Sequence, residues 1–261
     1  GCDFWLDAGA PQAAAGAPAA GLLTIAHLWT FTGEFVAACL RRGQMPTVWQ
    51  SIKVPGARAR NAQYRSLRVH TDQHPAPVPA GKVAEAYLDS LQQCLQRFRA
   101  AEWRRLEIAG RLVAAVQRNG GTAYACPLGG PLGGSLRPAL LALPGLDPGL
   151  VDLPRTVTPA DLARVLRRGD LLYIQGYTEP PLDLLDVAGA AGTFTVVSLA
   201  GTRSGSAEVA AADVVLRAQW WPGDALVPLP GYDVPVLPPS GFMGGSIYWA
   251  VVLAAMGALA P

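Results

Sequence analysis

The feature that most constrains this chain is an order of short apolar runs and amphipathic segments that occurs twice. Residues 21–52 contain the apolar run GLLTIAHL, the polar stretch WTFTGE, a helical pattern and the run TVWQSI. Residues 170–199 repeat that order with DLLYIQ, GYTEPP, a helical pattern and TFTVVSL. Short apolar runs with β-branched residues are typical of buried strands, so we predict a β–α–β unit in each segment. The similarity of the two segments predicts an internal repeat.

The rest of the chain extends this alternation. Helical spacing and apolar runs predict further helices over residues 82–99, 101–119, 161–168 and 242–259, and further strands over 122–126 and 212–218. Residues 53–61 and the Pro-rich residues 143–160 are expected to be loops. Strands that alternate with helices predict an α/β fold, a three-layer α-β-α sandwich around a mainly parallel, doubly wound sheet.

Composition and charge exclude several classes of protein. A hydrophobic fraction of 51% and a charged fraction of 15% favour a packed core over disorder. The formal net charge of +2 is too small to indicate a nucleic-acid partner. No metal-ligand spacing joins the cysteines and histidines, and we predict neither a metal site nor a cofactor. The longest apolar run, residues 247–260, is too short to span a bilayer, so we expect no membrane contact and a cytoplasmic location.

Residues 101–259 resemble a sugar-isomerase (SIS) domain. The motifs that carry the resemblance are the loops GGPLGGS and GTRSGS, followed by the strand ADVVL and a final helix. Residues 21–61 are similar to the second half of another such domain. This division predicts a partial N-terminal copy over 1–80 and a C-terminal domain over 81–261. The resemblance implies a phosphorylated sugar as ligand and a homodimer, with the apolar closing helix at its interface.

Ligands of an open parallel sheet bind beyond the carboxyl ends of its strands, where glycine and hydroxyl groups suit a phosphate or a sugar. The candidate binding residues in these loops are Gly133, Gly134, Ser135, Tyr177, Thr178, Thr202 and Ser204, with Thr30, Thr32 and Arg58 from the N-terminal segment. Some have alternatives: GGPLGGS also fits a plain Gly/Pro turn, and Arg58 also fits a contact that holds the following linker. Trp29 and Tyr177 occupy matching loop positions, where an aromatic ring can stack on a sugar.

Three residues are candidates for proton transfer between adjacent sugar carbons. Glu34 and Glu179 occupy equivalent places in the two segments, and His27 ends the first predicted strand. Each also has a structural alternative, since a glutamate in the first turn of a helix offsets the macrodipole. GYTEPP keeps only Thr178 of the Ser-x-Ser-Gly-x-Thr-like loop of SIS domains. The predicted function is therefore binding of a phosphosugar and its isomerisation by a loop carboxylate, or alternatively a non-catalytic sensing or structural module.

Overall fold

The computed structural model describes residues 16–128, 150–154, 156–177, 181–200, 211–220 and 223–260. In chain order these contain α1 (Gly16–Leu40), α2 (Ala57–Gln63), α3 (Lys82–Arg118), β1 (Ala123–Pro127), β2 (Leu150–Asp152), α4 (Pro159–Val165), β3 (Leu171–Gln175), α5 (Leu182–Ala191), β4 (Phe194–Leu199), β5 (Val214–Arg217) and α6 (Ser240–Leu259).

The five strands form one parallel sheet in the order β2-β1-β3-β4-β5. Ala125 of β1 lies opposite Tyr173 of β3, and Tyr173 lies opposite Val196 of β4. From β1 the chain runs outward to β2 on one side and then to β3 on the other. The strand order therefore reverses between β1 and β3, and open parallel sheets bind ligands beyond the carboxyl ends of strands at such a point. The predicted α/β fold with a parallel, doubly wound sheet is confirmed.

Side chains alternate between two buried faces of the sheet. Ala125, Tyr173 and Val196 point to one face, where they share a core with α3 and α6. Their neighbours Cys126 and Ile174 point to the other face, against α4 and α5. Because helices cover both faces, the strands are apolar throughout rather than alternately polar.

Two predicted helices in the middle of the chain form one helix, α3, of 37 residues. The stretch between them lacks Gly or Pro, so nothing interrupts the backbone hydrogen bonds. The helix ends before Gly120, whose φ of 77° places it in the left-handed region. Gly110 lies against α6, where an added Cβ would be 2.5 Å from the Cβ of Ala254. The absence of a side chain at Gly110 thus allows α3 and α6 to pack closely.

The predicted strand–loop–helix–strand order of residues 21–52 is wrong. Residues 16–40 form a single helix, in which the hydroxyls of Thr30 and Thr32 donate to the carbonyls of His27 and Leu28. Gly33 lies within this helix, and its lack of a side chain allows close packing, since a Cβ there would lie 2.8 Å from side-chain atoms of Leu237 and Val83. The threonines and glycine that resembled a loop are therefore interior helix residues, and a short apolar run does not by itself distinguish strand from helix.

Three other predictions for connecting segments also change. Residues 47–52 form no strand, and the only pairing nearby among the described residues is an isolated bridge between Pro46 and Val69. The expected loop over 53–61 contains α2, and the expected Pro-rich connection contains β2. The N-terminal segment consequently lacks both strands that suggested a partial second domain, and the boundary near residue 80 stays a prediction.

Two helices are long and apolar enough to cross a membrane by length and composition alone, Ala20–Leu40 and Ser240–Leu259. The prediction that no apolar run reaches this length is therefore wrong, because α1 continues without a break. In α6, Ile247, Trp249 and Val251 are buried in the core with α3. Packing within the chain buries these side chains, whereas Leu253 on the same helix is 46% exposed, and the dimer interface on the closing helix stays a prediction.

Candidate functional site

Most loops at the carboxyl edge of the sheet lie outside the described residues. This applies to the predicted binding residues Gly133, Gly134, Ser135, Thr178, Thr202 and Ser204, and to the predicted catalytic residue Glu179. Of the candidates from these loops, the structure places Tyr177, two residues after β3.

Tyr177 connects the edge of the sheet to the N-terminal part of the chain. Its ring packs edge-on against Trp220, which follows β5, with ring centres 5.1 Å apart. Its hydroxyl oxygen lies 3.3 Å from the Oγ of Ser51. Burial raises the pKa of Tyr177, so the hydroxyl keeps its proton at neutral pH and can donate a hydrogen bond.

A cleft of about 380 Å³ adjoins this contact. Three parts of the chain line it: the face of α1 with Trp29, Thr32 and Val36, residues 48–52, and residues 223–238. Most of the lining is apolar. Among the described residues that line it, Asp224 is the only ionisable one, and none is a lysine or arginine.

Asp224 joins the cleft to the start of α6. Its carboxylate accepts hydrogen bonds from the backbone N–H of Ser240 at 3.2 Å and from the Ser240 hydroxyl at 3.1 Å, and it interacts with the Tyr177 hydroxyl. Burial raises its pKa against the opposing effect of these hydrogen bonds. Its φ of 47° lies in the left-handed region, which is uncommon for residues other than glycine and clusters at functional sites.

Two roles of Asp224 follow from this geometry. As an acceptor for the first residue of α6, it satisfies a helix N-terminus. As a half-buried carboxyl group with a raised pKa in an apolar cleft, it can also exchange a proton or a hydrogen bond with a ligand. The two roles are compatible, because a carboxylate has lone pairs on both oxygens.

The guanidinium of Arg60 holds two walls of the cleft together. It forms a bidentate ion pair with Asp233, with N–O distances of 2.6 and 2.7 Å. It also donates to the carbonyl of Val48 at 2.9 Å and to the hydroxyl of Tyr232 at 3.0 Å. The hydrogen bond to Asp233 raises the pKa of Arg60 and lowers that of Asp233. Arg60 thus anchors residues 46–52 to the segment that carries Asp233.

A buried histidine extends this network. The side chain of His70 is fully buried, with Nε2 3.0 Å from the Tyr232 hydroxyl and Nδ1 3.3 Å from Asp72. Asn61 exchanges two hydrogen bonds with the backbone of Gln50, at 2.8 and 3.0 Å. Because these contacts lie behind the cleft wall, they position lining residues rather than face a ligand.

Only part of the predicted N-terminal site comes together. Thr32 lines the cleft. Glu34 instead accepts from the backbone N–H groups of Gly81 and Ala84, at 2.8 and 3.2 Å, and so caps α3. His27 and Thr30 lie on α1 outside the cleft lining, and Arg58 is exposed on α2. The sequence interpretation missed Asp224, which carries no local signal beyond its place in a Pro-rich segment.

The described part of the chain contains no group of three His, Cys, Asp or Glu side chains that could hold a metal ion. The described side chains that a ligand could contact in the cleft offer hydrogen-bonding groups and aromatic rings.

Similarity to known proteins is found only at the level of the fold. No protein-family model and no curated protein matches the chain. Among solved structures, it is similar to a phosphoheptose isomerase from Francisella tularensis, with 15% identity, a TM-score of 0.48, and coverage of 69% of this chain and 100% of that one. It is also similar to the sugar isomerase domain of the RpiR transcription factor from Sphaerobacter thermophilus, with 19% identity, a TM-score of 0.35, and coverage of 66% and 90%. At these identities neither comparison assigns a function or a site residue to this chain.

Proposed function

We propose that this protein binds a phosphorylated sugar, with the sugar in the cleft and the phosphate at the carboxyl edge of the sheet. The observation that carries the proposal is the contact of Tyr177 with Ser51, which joins the edge of the parallel sheet to the lining of the cleft. A ligand that spans the edge of the sheet and the cleft would have polar groups at one end and a ring at the other.

The cleft suits the ring of a sugar. Trp29 and Trp49 offer apolar aromatic faces, on which the C–H groups of a sugar can pack. Asp224, Ser51 and Gln50 offer a few polar groups within this apolar lining. A small number of placed polar groups in a mainly apolar cleft is typical of small-molecule sites.

The phosphate requires a different environment, because none of the described residues that line the cleft is basic. The carboxyl ends of β1, β3 and β4 are each followed by a segment that contains Gly with Ser or Thr. Backbone N–H groups and hydroxyls in such segments suit an anion. We therefore assign the phosphate to Gly133, Gly134, Ser135, Thr178, Thr202 and Ser204 as part of the proposal.

Isomerisation of the bound sugar is a second candidate, favoured by the proximity of Asp224 and Tyr177. A carboxylate can remove the proton from the carbon beside a carbonyl and return it to the neighbouring carbon, while a tyrosine donates to the carbonyl oxygen. Glu34 does not fit this role, since its carboxylate caps α3. Catalysis by Glu179, the homodimer and the cytoplasmic location stay predictions.

A thermal-shift screen against sugar phosphates tests the binding proposal. A ligand at 100 times its dissociation constant adds about 2.7 kcal/mol to the free energy of unfolding, which corresponds to a rise of roughly 5–10 °C in Tm. The parent sugars and inorganic phosphate are the controls. A shift with a phosphosugar but with neither control supports the proposal, and no shift with any phosphosugar contradicts it. For a ligand that binds, exchange of its carbon-bound hydrogen for solvent deuterium distinguishes isomerisation from binding alone.

A further inference from the structure

Charge is segregated in the N-terminal third of the chain. Between Glu34 and Asp72 the sequence contains seven basic residues and no acidic residue. These are Arg41, Arg42, Lys53, Arg58, Arg60, Arg65 and Arg68. Arg60 is engaged in the wall of the cleft, and the other six are exposed. Because the formal net charge of the whole chain is only +2, the rest of the chain is net acidic.

The same region exposes large apolar side chains. Leu28, Phe31 and Phe35 repeat along one side of α1, with 58%, 58% and 56% of each residue exposed. Trp49 and Ile52 follow in the next segment, 64% and 53% exposed. Single exposed apolar residues are ordinary, whereas a contiguous group of this kind marks an interaction site.

These side chains lie around one side of the cleft. Trp49 and Ile52 line the cleft together with Thr32 of α1. Leu28 lies four residues before Thr32 and Phe35 three residues after it, so both are its neighbours on the helix surface. We call the surface formed by Leu28, Phe31, Phe35, Trp49 and Ile52, with the exposed basic residues Arg42 and Lys53, the aromatic–basic face.

Its chemistry fits the surface of an anionic membrane. Aromatic and aliphatic side chains enter the boundary between headgroups and acyl chains, and basic side chains contact anionic headgroups. A second copy fits less well, because a twofold interface would bring the same positive groups of both copies together. Glu34, the only acidic residue of α1, is turned to the start of α3 and does not neutralise the face.

The contact would be peripheral rather than spanning. The opposite side of α1, with Ala26, Val36, Ala37 and Leu40, is buried with α3 and residues 227–237 in a separate core cluster. Crossing a bilayer would require α1 to leave that core. Docking of the exposed side requires no such rearrangement.

We propose that the aromatic–basic face docks this protein on membrane surfaces that contain anionic lipids. Since Trp49 and Ile52 belong to both the face and the cleft, docking places the mouth of the cleft beside the lipid headgroups. The proposal does not depend on the ligand of the cleft, and it replaces the expectation from sequence that the chain has no membrane contact.

Co-sedimentation with vesicles tests the proposal, with vesicles of phosphatidylcholine alone compared with vesicles that contain one-third phosphatidylserine. We expect binding to the anionic vesicles only, decreasing as salt is added. The variant R42Q/K53Q should bind about 30-fold more weakly, because each basic side chain near an anionic surface contributes roughly fivefold to partitioning. R99Q/R104Q removes the same charge from exposed positions of α3 and should bind like the wild type.

A second pair of variants tests the apolar part. F31S/F35S should lose binding at all salt concentrations, whereas W103S/I108S, at similarly exposed positions of α3, should retain it. Absence of binding to anionic vesicles would overturn the proposal, as would equal losses in the α3 controls. Concentration-dependent dimerisation that F31S/F35S abolishes, without any lipid binding, would assign the face to a second copy instead.

Discussion

The bidentate pair of Arg60 and Asp233 gives the most quantitative prediction, for the variant R60A. The substitution removes the ion partner of Asp233 and the donor to the carbonyl of Val48 and the hydroxyl of Tyr232. The side chain of Arg60 is 11% exposed, so water replaces these bonds poorly on its side. The side chain of Asp233 is 39% exposed and can be rehydrated, which reduces the loss.

Breaking a fully buried pair costs about 3–5 kcal/mol, and partial exposure of Asp233 lowers the expected loss to roughly 2–3 kcal/mol. For a chain of this size that loss corresponds to a decrease of about 5–10 °C in Tm. Urea denaturation of the wild type and R60A measures it. R58A is the matched control, since Arg58 is exposed two residues earlier on the same helix and should cost less than about 0.5 kcal/mol.

The pH dependence provides an independent check. Arg60 lowers the pKa of Asp233 below its unfolded value, so the pair stabilises the folded state at pH values above that unfolded value. This contribution is lost as the pH falls through the lowered pKa of the folded state. The difference between the wild type and R60A should therefore shrink on acidification below about pH 4. A difference that is constant with pH, or equal losses in R60A and R58A, would refute the reasoning.

Three further predictions concern the rest of the chain. G110A should lower the free energy of unfolding by about 2 kcal/mol, because α6 leaves no space for a Cβ at this position. G189A should raise the free energy of unfolding by up to about 1 kcal/mol in the same denaturation assay, because nothing lies within reach of a Cβ there. E34A should lower the free energy of unfolding by about 1–2 kcal/mol, because the start of α3 loses the carboxylate that caps it. Unchanged stability of E34A in the same assay would contradict this structural role of Glu34. Burial raises the pKa of the Cys126 thiol to about 11, so this thiol should react slowly with iodoacetamide in the folded protein. Mass spectrometry after the treatment should find the half-buried Cys39 labelled and Cys126 unlabelled. Rapid labelling of Cys126 would contradict its burial.

The sequence was informative where periodicity and flanking residues agreed. The strands around Tyr173 and Val196 are apolar runs bounded by Gly or turn residues, and the structure places them in the centre of the sheet. The helix over 182–191 ends at Gly192, which has a φ of 71°. In each of these cases the local signal and the tertiary structure favour the same element.

The N-terminal prediction failed because tertiary contacts decide its helix. Gly33 and the threonines before it are poor helix formers, but close packing against Val83 and Leu237 stabilises the helix. The same error misplaced Glu34, whose partners lie on α3, about fifty residues away. No spacing rule in the sequence connects such residues.

The candidate site was predictable only in its position. The rule that ligands bind at the carboxyl edge of a parallel sheet led to Tyr177, whose hydroxyl lies 3.3 Å from Ser51 of the cleft lining. Asp224 could not be found in this way, because its role depends on partial burial and on its hydrogen bonds to the start of α6. Both conditions exist only once the Pro-rich segment has folded.

The most direct test of the proposed site is titration calorimetry of a phosphosugar with the wild type, D224N and the control D186N. Asp224 lines the cleft, whereas Asp186 is exposed on α5, and both substitutions exchange a carboxylate for an amide of the same shape. We predict that D224N binds at least about tenfold more weakly, since a hydrogen bond to a charged group contributes about 1.5–3 kcal/mol, and that D186N binds like the wild type. Equal affinity of D224N and the wild type, with D224N shown to be folded, would contradict a ligand site in this cleft.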